Sequence, residues 1–516
     1  MAFKLNELHD ETPTLKLPVV IPHDDIISSL EDRVVKVDFQ ELAFPGYNKL
    51  KKELDELEAK GLGDGSVSAD QFKKIEKQLK VMKLTFKHYI ILTVEELIKL
   101  AELNDWGLCR SDSFIYLYNG ASWSVFDKAD ITTFLSNVAF RMGIKKVDAR
   151  YHKFADELFK QFHFFANLPK AKRPKSTTLI NLQNGTFEIT PKGNILREFR
   201  RIDFLKYQLP FSYDPAATAP QFFNFINRVL PDIERQNVLA EYLGYVFIQP
   251  SVLKLEKTLF NYGAGANGKS VFFEISTALL GEDNVSNYAL QGLTDANGYN
   301  RAKLANKLVN YASEINGSLE SSYFKQLVSG EPIEARLPYG EPFILKDYAK
   351  LIFNGNTLPK EVEHTNAYFR RFLIIPWDVN IPESEQDKDL AKKIIATELP
   401  GIFNWVLAGL ERVLKQRAFS KCDAAERMLK EYKLESDTVA LFLEDCFYQP
   451  DNFAQISLND LLKSYVTYCA TNGYKPVSNR TLSERLQALN YTVKRKNAGN
   501  VVYIKRISVA SVDNVA

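Results

Sequence analysis

Three observations predict an α/β fold. A short apolar run, Thr258–Tyr262, breaks into a glycine-rich turn and continues as Val271–Leu280, whose apolar residues fall at helical spacing and stop at Gly281. Further apolar runs at Lys307–Ile315 and Lys350–Pro359 read as strands, and Ala367–Pro376 places an arginine pair just before another, with helical segments among them. On either side lie an α+β N-terminal region and a C-terminal helix–helix–hairpin pattern.

The turn is the most specific of these features. Gly263-Ala264-Gly265-Ala266-Asn267-Gly268-Lys269-Ser270 fits G-x-x-x-x-G-K-[ST], with Val271 opening the helix behind it. Such a loop turns its backbone N–H groups towards phosphates, and the helix adds the positive end of its dipole. Lys269 can reach the β- and γ-phosphates, and the Ser270 hydroxyl can ligate Mg²⁺. The expectation is a P-loop binding ATP with Mg²⁺. The bland alternative is an ordinary strand–turn–helix containing a lysine.

Composition sets the frame. The 516 residues suffice for about three domains. With 25% charged and 45% apolar residues the chain is of ordinary globular type, and a formal net charge of +2 leaves only local basic surfaces for nucleic acid. Cys109, Cys422, Cys446 and Cys469 are scattered without zinc spacing and read as reduced thiols. The N-terminus lacks an apolar signal region, and no run approaches a membrane span. A cytoplasmic protein without membrane partners is expected.

Taken in order, residues 1–168 are expected to form an α+β region. VVKVDF (Val34–Phe39) reads as a strand. Leu50, Leu54 and Leu57, then Phe72, Ile75 and Leu79 across a Gly61–Gly65 turn, give a charged helical hairpin with one apolar stripe. Its charges alternate in sign, which favours packing or oligomerisation over nucleic-acid contact. Asn119-Gly120 suits a type I′ turn between two strands, and helices are expected at Ile131–Arg141 and His152–Phe165. Residues 169–250 form a second region, opened by the basic connector Pro169–Lys175. It continues through an Asn184-Gly185 hairpin and a helical run, Phe222–Gln249. Residues 251–420 hold the ATPase core. Residues 421–516 resemble a winged-helix domain, with helices at Leu458–Asn472 and Thr481–Leu489 and two strands within Tyr491–Arg506. Basic residues concentrate there, including Lys475, Arg480, Arg485, Lys494, Arg495, Lys496, Lys505 and Arg506, a surface for DNA backbone or a solvated structural module.

A phosphate loop alone does not say kinase, GTPase or motor. Hydrolysis needs a carboxylate to order Mg²⁺ and water, and Glu314 ends the next apolar strand. It needs a polar group near the γ-phosphate, for which Asn356 is a candidate. It gains from an arginine, often supplied by a neighbouring subunit, for which Arg370 and Arg371 are candidates. Each has a structural alternative: a strand-end surface charge, a turn former, an ion pair.

The ordered set GAGANGKS, LVNYASE, FKQLVSGEPIEAR, LIFNGNTLP and FRRFLIIP resembles superfamily 3 helicases, and within them the phage/plasmid and poxvirus-type primase-helicase family. The resemblance covers roughly residues 119–506. It implies an AAA+-like core assembled as a ring, commonly a hexamer, with ATP between subunits and single-stranded DNA in the channel. Lys269 and Ser270 would then hold phosphate and Mg²⁺, Glu314 would be the Walker B acid and Asn356 the sensor. Arg370 or Arg371 would act in trans, and Lys325 and Arg336 would flank or enter a DNA-contacting hairpin. Two departures stand out. Glu314 lacks the neighbouring second acid found in many members. Met1–Phe165 carries neither a D-x-D-type metal motif nor zinc-binding cysteines, so primer synthesis is not expected of this chain, and a separate primase or polymerase is the expected partner.

The leading expectation is a replicative helicase of a phage, plasmid or other mobile element acting on single-stranded and forked DNA. An origin-binding initiator whose ATPase controls assembly is the alternative. A small-molecule kinase would leave the arginine pair and most of the chain unexplained.

Overall fold

Helices dominate the start of the chain. The computed structural model describes residues 20–59, 67–104, 106–111, 114–166, 177–313, 320–338, 341–359, 364–497 and 499–507. Two units divide it, Met1–Ser212 and Tyr213–Ala516, where the sequence reading has four regions. In the first unit α1 (His23–Arg33) is followed by residues 34–38, which form neither helix nor strand, and α2 (Phe39–Ala43). The strand expected at Val34–Phe39 is therefore not formed. Asp38 instead accepts hydrogen bonds from the amides of Gln40 and Glu41, and this cap starts a helix at Phe39.

The helical hairpin appears as α3 (Tyr47–Ala59) and α4 (Val67–Val81), and the expected turn at Gly61–Gly65 lies outside the described residues. α5 (Phe86–Leu103) precedes β1 (Leu108–Ser111), β2 (Phe114–Tyr118) and β3 (Trp123–Phe126), an antiparallel sheet in that order. Tyr118 pairs with Trp123, so the connection is four residues rather than a two-residue Asn-Gly turn. Its shape follows from Asn119, whose side-chain oxygen accepts from the amides of Ala121 and Ser122 at 3.0 and 2.8 Å.

α6 (Lys128–Arg141), α7 (Lys146–Ala149) and α8 (His152–Phe165) follow. Val94 and Leu97 of α5, Phe134 and Leu135 of α6, and Leu158 and Phe162 of α8 share one core. The basic connector Pro169–Lys175 lies outside the described residues. β4 (Thr178–Leu182), β5 (Gly185–Thr190) and β6 (Gly193–Arg197) complete the unit as a second antiparallel sheet. Leu182 pairs with Gly185, so the tight turn is made by Gln183 and Asn184. Gly185 is required there: its φ is +139°, and a Cβ would lie 2.5 Å from the Arg197 carbonyl oxygen.

The second unit opens with α9 (Pro220–Val229) and α10 (Ile233–Tyr245). The single helical run expected at Phe222–Gln249 breaks at Pro231, which has no N–H to donate, and Asp232 caps the new helix by accepting from the amide of Glu234. Then come β7 (Thr258–Tyr262), α11 (Lys269–Leu280), β8 (Val285–Ser286), short α12 (Leu290–Leu293) and α13 (Tyr299–Ala302), and β9 (Val309–Ser313). α14 (Ser321–Ser329) leads into the hairpin of β10 (Ile333–Arg336) and β11 (Pro342–Leu345). β12 (Lys350–Gly355), α15 (Asn366–Phe369), β13 (Phe372–Pro376) and α16 (Leu390–Gln416) close this part.

Five of these strands form one sheet in the order β13-β7-β12-β9-β8, every neighbouring pair parallel. Phe260, Phe353, Ile374 and Ala312 are buried within it, the continuous apolar character that a doubly covered parallel sheet demands. The molecule is thus mixed α/β, with a sheet consistent with an α/β nucleotide-binding core. α16 crosses α10 at two glycines. A Cβ on Gly244 would come within 2.7 Å of Leu410, and one on Gly409 within 2.4 Å of Ala240.

The remainder is α17 (Asp423–Glu435), α18 (Thr438–Asp445), β14 (Tyr448–Ser457), α19 (Leu458–Asn472), α20 (Asn479–Ala488), β15 (Thr492–Lys496) and β16 (Gly499–Arg506). Its strands pair antiparallel in the order β14-β16-β15. Phe442, Leu461, Tyr465, Leu482, Leu486 and Val502 give it a core of its own. Among the described residues no helix is long and apolar enough to cross a membrane.

Candidate functional site

The carboxyl edge of a parallel sheet, where the chain switches direction between neighbouring strands, is where such folds build sites. Here the loop 263–268 leaves β7 at that edge and turns into α11. Gly263 passes so close to β13 that a Cβ would meet the Trp377 carbonyl oxygen at 2.4 Å. Gly268 caps α11 with φ +87°, and a Cβ there would lie 2.8 Å from Val229. Ala264, Gly265 and Ala266 are exposed between these fixed points, as is Ser270 in the first turn of the helix, while Val271 is half-buried.

Lys269 is buried, and its ammonium donates to the carbonyls of Gly263 and Ala264 and to the Asn267 side-chain oxygen, at 2.6, 2.9 and 3.0 Å. All three partners are neutral. Burial pulls its pKa below the usual lysine range. A charged group held by neutral carbonyls beneath an open loop can be drawn out by an anion. Asn267 fastens the loop from the other side, donating to the Trp377 carbonyl at 3.0 Å.

Under the loop lies a closed polar network that the sequence reading does not anticipate. The Asn261 amide donates to Asn354 Oδ1 and to the Tyr311 hydroxyl oxygen at 3.0 and 2.9 Å. Tyr311 donates to the same Asn354 oxygen at 3.0 Å, and the Trp377 indole donates to Asn261 Oδ1 at 3.2 Å. Asn354 completes it by donating to the Lys269 carbonyl at 3.4 Å. Burial raises the Tyr311 pKa strongly, which keeps the phenol neutral and able to donate. The available signal was an asparagine inside each of the apolar runs TLFNY and LIFNG.

Asn356 is exposed just beyond Gly355, whose carbonyl accepts from the Gly263 amide at 3.2 Å. The strand end therefore brings Asn356 beside the start of the loop. Glu314 lies outside the described residues, directly after β9. Among the described residues no cluster of three His, Cys, Asp or Glu side chains could hold a metal ion.

The arginine pair is elsewhere. It precedes β13 at the amino edge of the sheet, where the Arg371 carbonyl accepts from the amide of Thr258, the first residue of β7. At about 3.3 Å per residue along β7, this is roughly 15 Å from the loop. The two side chains differ in kind. Arg371 is buried and donates to Ser329 Oγ and the Ala367 carbonyl. Arg370 is at the surface and pairs with Glu256 at 2.6 Å.

Lys325 lies half-buried on α14, and Arg336 is exposed at the end of β10. Lys494, Arg495 and Lys496 are exposed on β15, with the Lys494 and Lys496 ammonium groups 5.4 and 5.6 Å from the Tyr503 ring centre. Of the other members of the basic cluster, Arg485 is half-buried and donates to Asp437, while Arg506 is exposed and donates to the Cys446 carbonyl.

Three family descriptions match this chain. "D5 N terminal like" covers residues 100–231, "Poxvirus D5 protein-like" covers 434–514, and a family of unknown function, DUF5906, covers 261–371 and so the loop and both arginines. The two D5 matches support kinship with the phage and poxvirus D5-type primase-helicase family. Among solved structures, two apo forms of the NrS-1 C-terminal region are similar at 12% identity. They span 80 and 81% of this chain and 98 and 99% of theirs, with TM-scores of 0.46 and 0.45.

Proposed function

We propose that this chain is a nucleotide-hydrolysing replication enzyme, an ATP-dependent DNA helicase of superfamily 3 that works as a ring. The observation that carries the reading is the separation of two groups on one sheet. A buried lysine under an open glycine loop occupies the carboxyl edge, and a surface arginine occupies the amino edge, too far away to serve the same loop. A neighbouring copy would bring its arginine to the phosphate that the lysine holds, which makes the site a property of the assembly, for which the resemblance implies a hexameric ring.

The residues present suit a P-loop. The exposed backbone of 264–266 and the α11 terminus would hold the phosphates of ATP, with Lys269 released from its carbonyls to pair with them. Ser270 and Glu314 would hold Mg²⁺. The metal, when bound, neutralises charge developing on the phosphates. Asn356 would orient water beside the loop, and Arg370 of the adjacent copy would offset transition-state charge. Arg371 would position Arg370 by anchoring α15.

DNA contact is assigned to the β10–β11 hairpin with Arg336 and Lys325, and to the C-terminal module. Its order of helix, strand, two helices and hairpin supports a winged-helix reading, with Lys494, Arg495 and Lys496 on the wing. That basic wing also favours a second reading, an origin-binding initiator, for which footprinting on the element's own DNA should reveal a protected sequence. Purified protein with ATP and Mg²⁺ on a forked substrate tests the first. Unwinding, with hydrolysis stimulated by single strands and lost in Lys269→Ala, is expected; absence of both unwinding and stimulation overturns it.

A further inference from the structure

The amino edge of the sheet holds a small cleft lined by Lys257, Lys346, Lys350, Tyr348, Leu327 and Gly330 among others. Lys257 immediately precedes β7 and Lys350 opens β12, so a lysine stands at the amino end of each of two neighbouring strands. Lys346 follows β11, on the chain that returns from the hairpin. Among the described residues no carboxylate lines the cleft. Among the described residues none of the three lysines forms an ion pair: Lys257 donates to the Phe372 carbonyl at 3.3 Å, and Lys350 approaches the Tyr245 hydroxyl at 3.5 Å and lies over its ring.

The surrounding charges do not neutralise them. Glu256 is taken by Arg370 at 2.6 Å and Lys254 at 3.7 Å. Asp347 favours the charged Lys350, whereas Lys254 opposes it, and Arg370 and Lys433 oppose the charge on Lys257. Burial lowers both pKa values, that of Lys350 to about 8. Burying ammonium groups without a counter-charge costs stability, and the cost is removed when an anion enters.

We propose that this cleft is a second anion site, which takes a phosphate group between Lys257, Lys346 and Lys350 on the sheet edge opposite the glycine loop. Each ammonium offers three donors and no acceptor, which suits the oxygens of a phosphate dianion and excludes cations. The phosphate can come from a free anion or from a nucleic-acid backbone. The assignment is independent of the nucleotide reading for the glycine loop.

Pyridoxal 5′-phosphate tests it, because its phosphate seeks the site and its aldehyde condenses with a neutral amine, releasing water. The resulting imine is reduced with borohydride and mapped by mass spectrometry. The full chain carrying Lys269→Ala is used, so that the glycine loop does not supply the anion site. Near neutral pH, labelling of the cleft lysines should exceed that of exposed Lys392 by at least about tenfold, since a lysine of lowered pKa is more often neutral. Pyrophosphate should suppress it, and Lys346→Met, a change at an exposed position, should weaken both labelling and protection. Protection by oligothymidylate at lower phosphate concentration than by pyrophosphate assigns the site to a nucleic-acid backbone, and protection by pyrophosphate alone assigns it to a free anion. Cleft labelling no greater than at Lys392, or unaffected by either anion, overturns the proposal.

Discussion

Arg370 and Arg371 are neighbours in sequence and opposites in setting, so the same substitution should give different losses. Arg371→Ala strands Ser329 Oγ and the Ala367 carbonyl in the interior and should cost about 2–3 kcal/mol in urea unfolding. Arg370→Ala removes one exposed ion pair and should cost less than about 1 kcal/mol, while hydrolysis by the assembled protein falls by at least about a hundredfold. Equal stability losses would contradict the assignment. Lys350 gives a pH signature. Its folded pKa of about 8 lies below its ordinary 10.5, so between these values the unfolded chain binds more protons and stability rises with pH. Below about pH 8 the cost is fully present. Without an anion, Lys350→Met should therefore raise stability at neutral pH by up to about 2 kcal/mol, and the gain should fade above about pH 10, as denaturation midpoints at the two pH values would report. At this scale the sequence is legible where function is contiguous: Gly263–Ser270 announces itself because loop, lysine and helix start are one segment. It does not distinguish Arg370 from Arg371, because burial is decided by α14 packing beneath one of them. Nor does it assemble Lys257, Lys346 and Lys350, which only the strand order brings together.

The elements carrying the loop depend on a few contacts of high consequence. Asn354 is the shared acceptor of Asn261 and Tyr311, and both lose that acceptor if it is shortened. Asn354→Ala should destabilise by about 1–3 kcal/mol and weaken nucleotide binding by loosening the support under Lys269; unchanged stability by thermal unfolding would dismiss the network. The α10–α16 crossing is equally strict. A methyl group on Gly409 meets the backbone of Ala240 and Glu241, so Gly409→Ala should cost at least about 2 kcal/mol, whereas alanine at Gly265, which has nothing within 4 Å of a new Cβ, should barely register in the same urea titration. Periodicity reveals such helices but not the glycine contact between them, because the close approach is a property of the pair. The hairpins teach the same lesson. Asn-Gly marks both turns, yet in one the Asn119 side chain closes a four-residue loop, and in the other Gly185 joins the strand and leaves Gln183 and Asn184 to turn. Composition locates a reversal; side-chain capping and strand pairing decide its length.

At the scale of the whole molecule, one chain holds two incomplete halves of the proposed site. The parallel order β13-β7-β12-β9-β8 sends every strand the same way, so groups preceding the strands and groups following them lie on opposite edges. No rotation of the Arg370 side chain spans the roughly 15 Å to its own glycine loop. If hydrolysis occurs between copies, Lys269→Ala destroys the half that holds phosphate, and Arg370→Ala destroys the half supplied to the neighbour. Each variant alone should be inactive. Mixed in equal amounts, they form some junctions in which an intact loop faces an intact arginine, and about a quarter of junctions meet that condition if copies assemble at random. Hydrolysis should therefore reappear at up to about a quarter of the wild-type level, with a dependence on total protein concentration that follows assembly. A site complete within one chain would give no recovery on mixing, since every copy would still carry one broken half. Pre-formed assemblies that do not exchange copies would also show no recovery, and mixing after denaturation and refolding separates that case from a site complete within one chain.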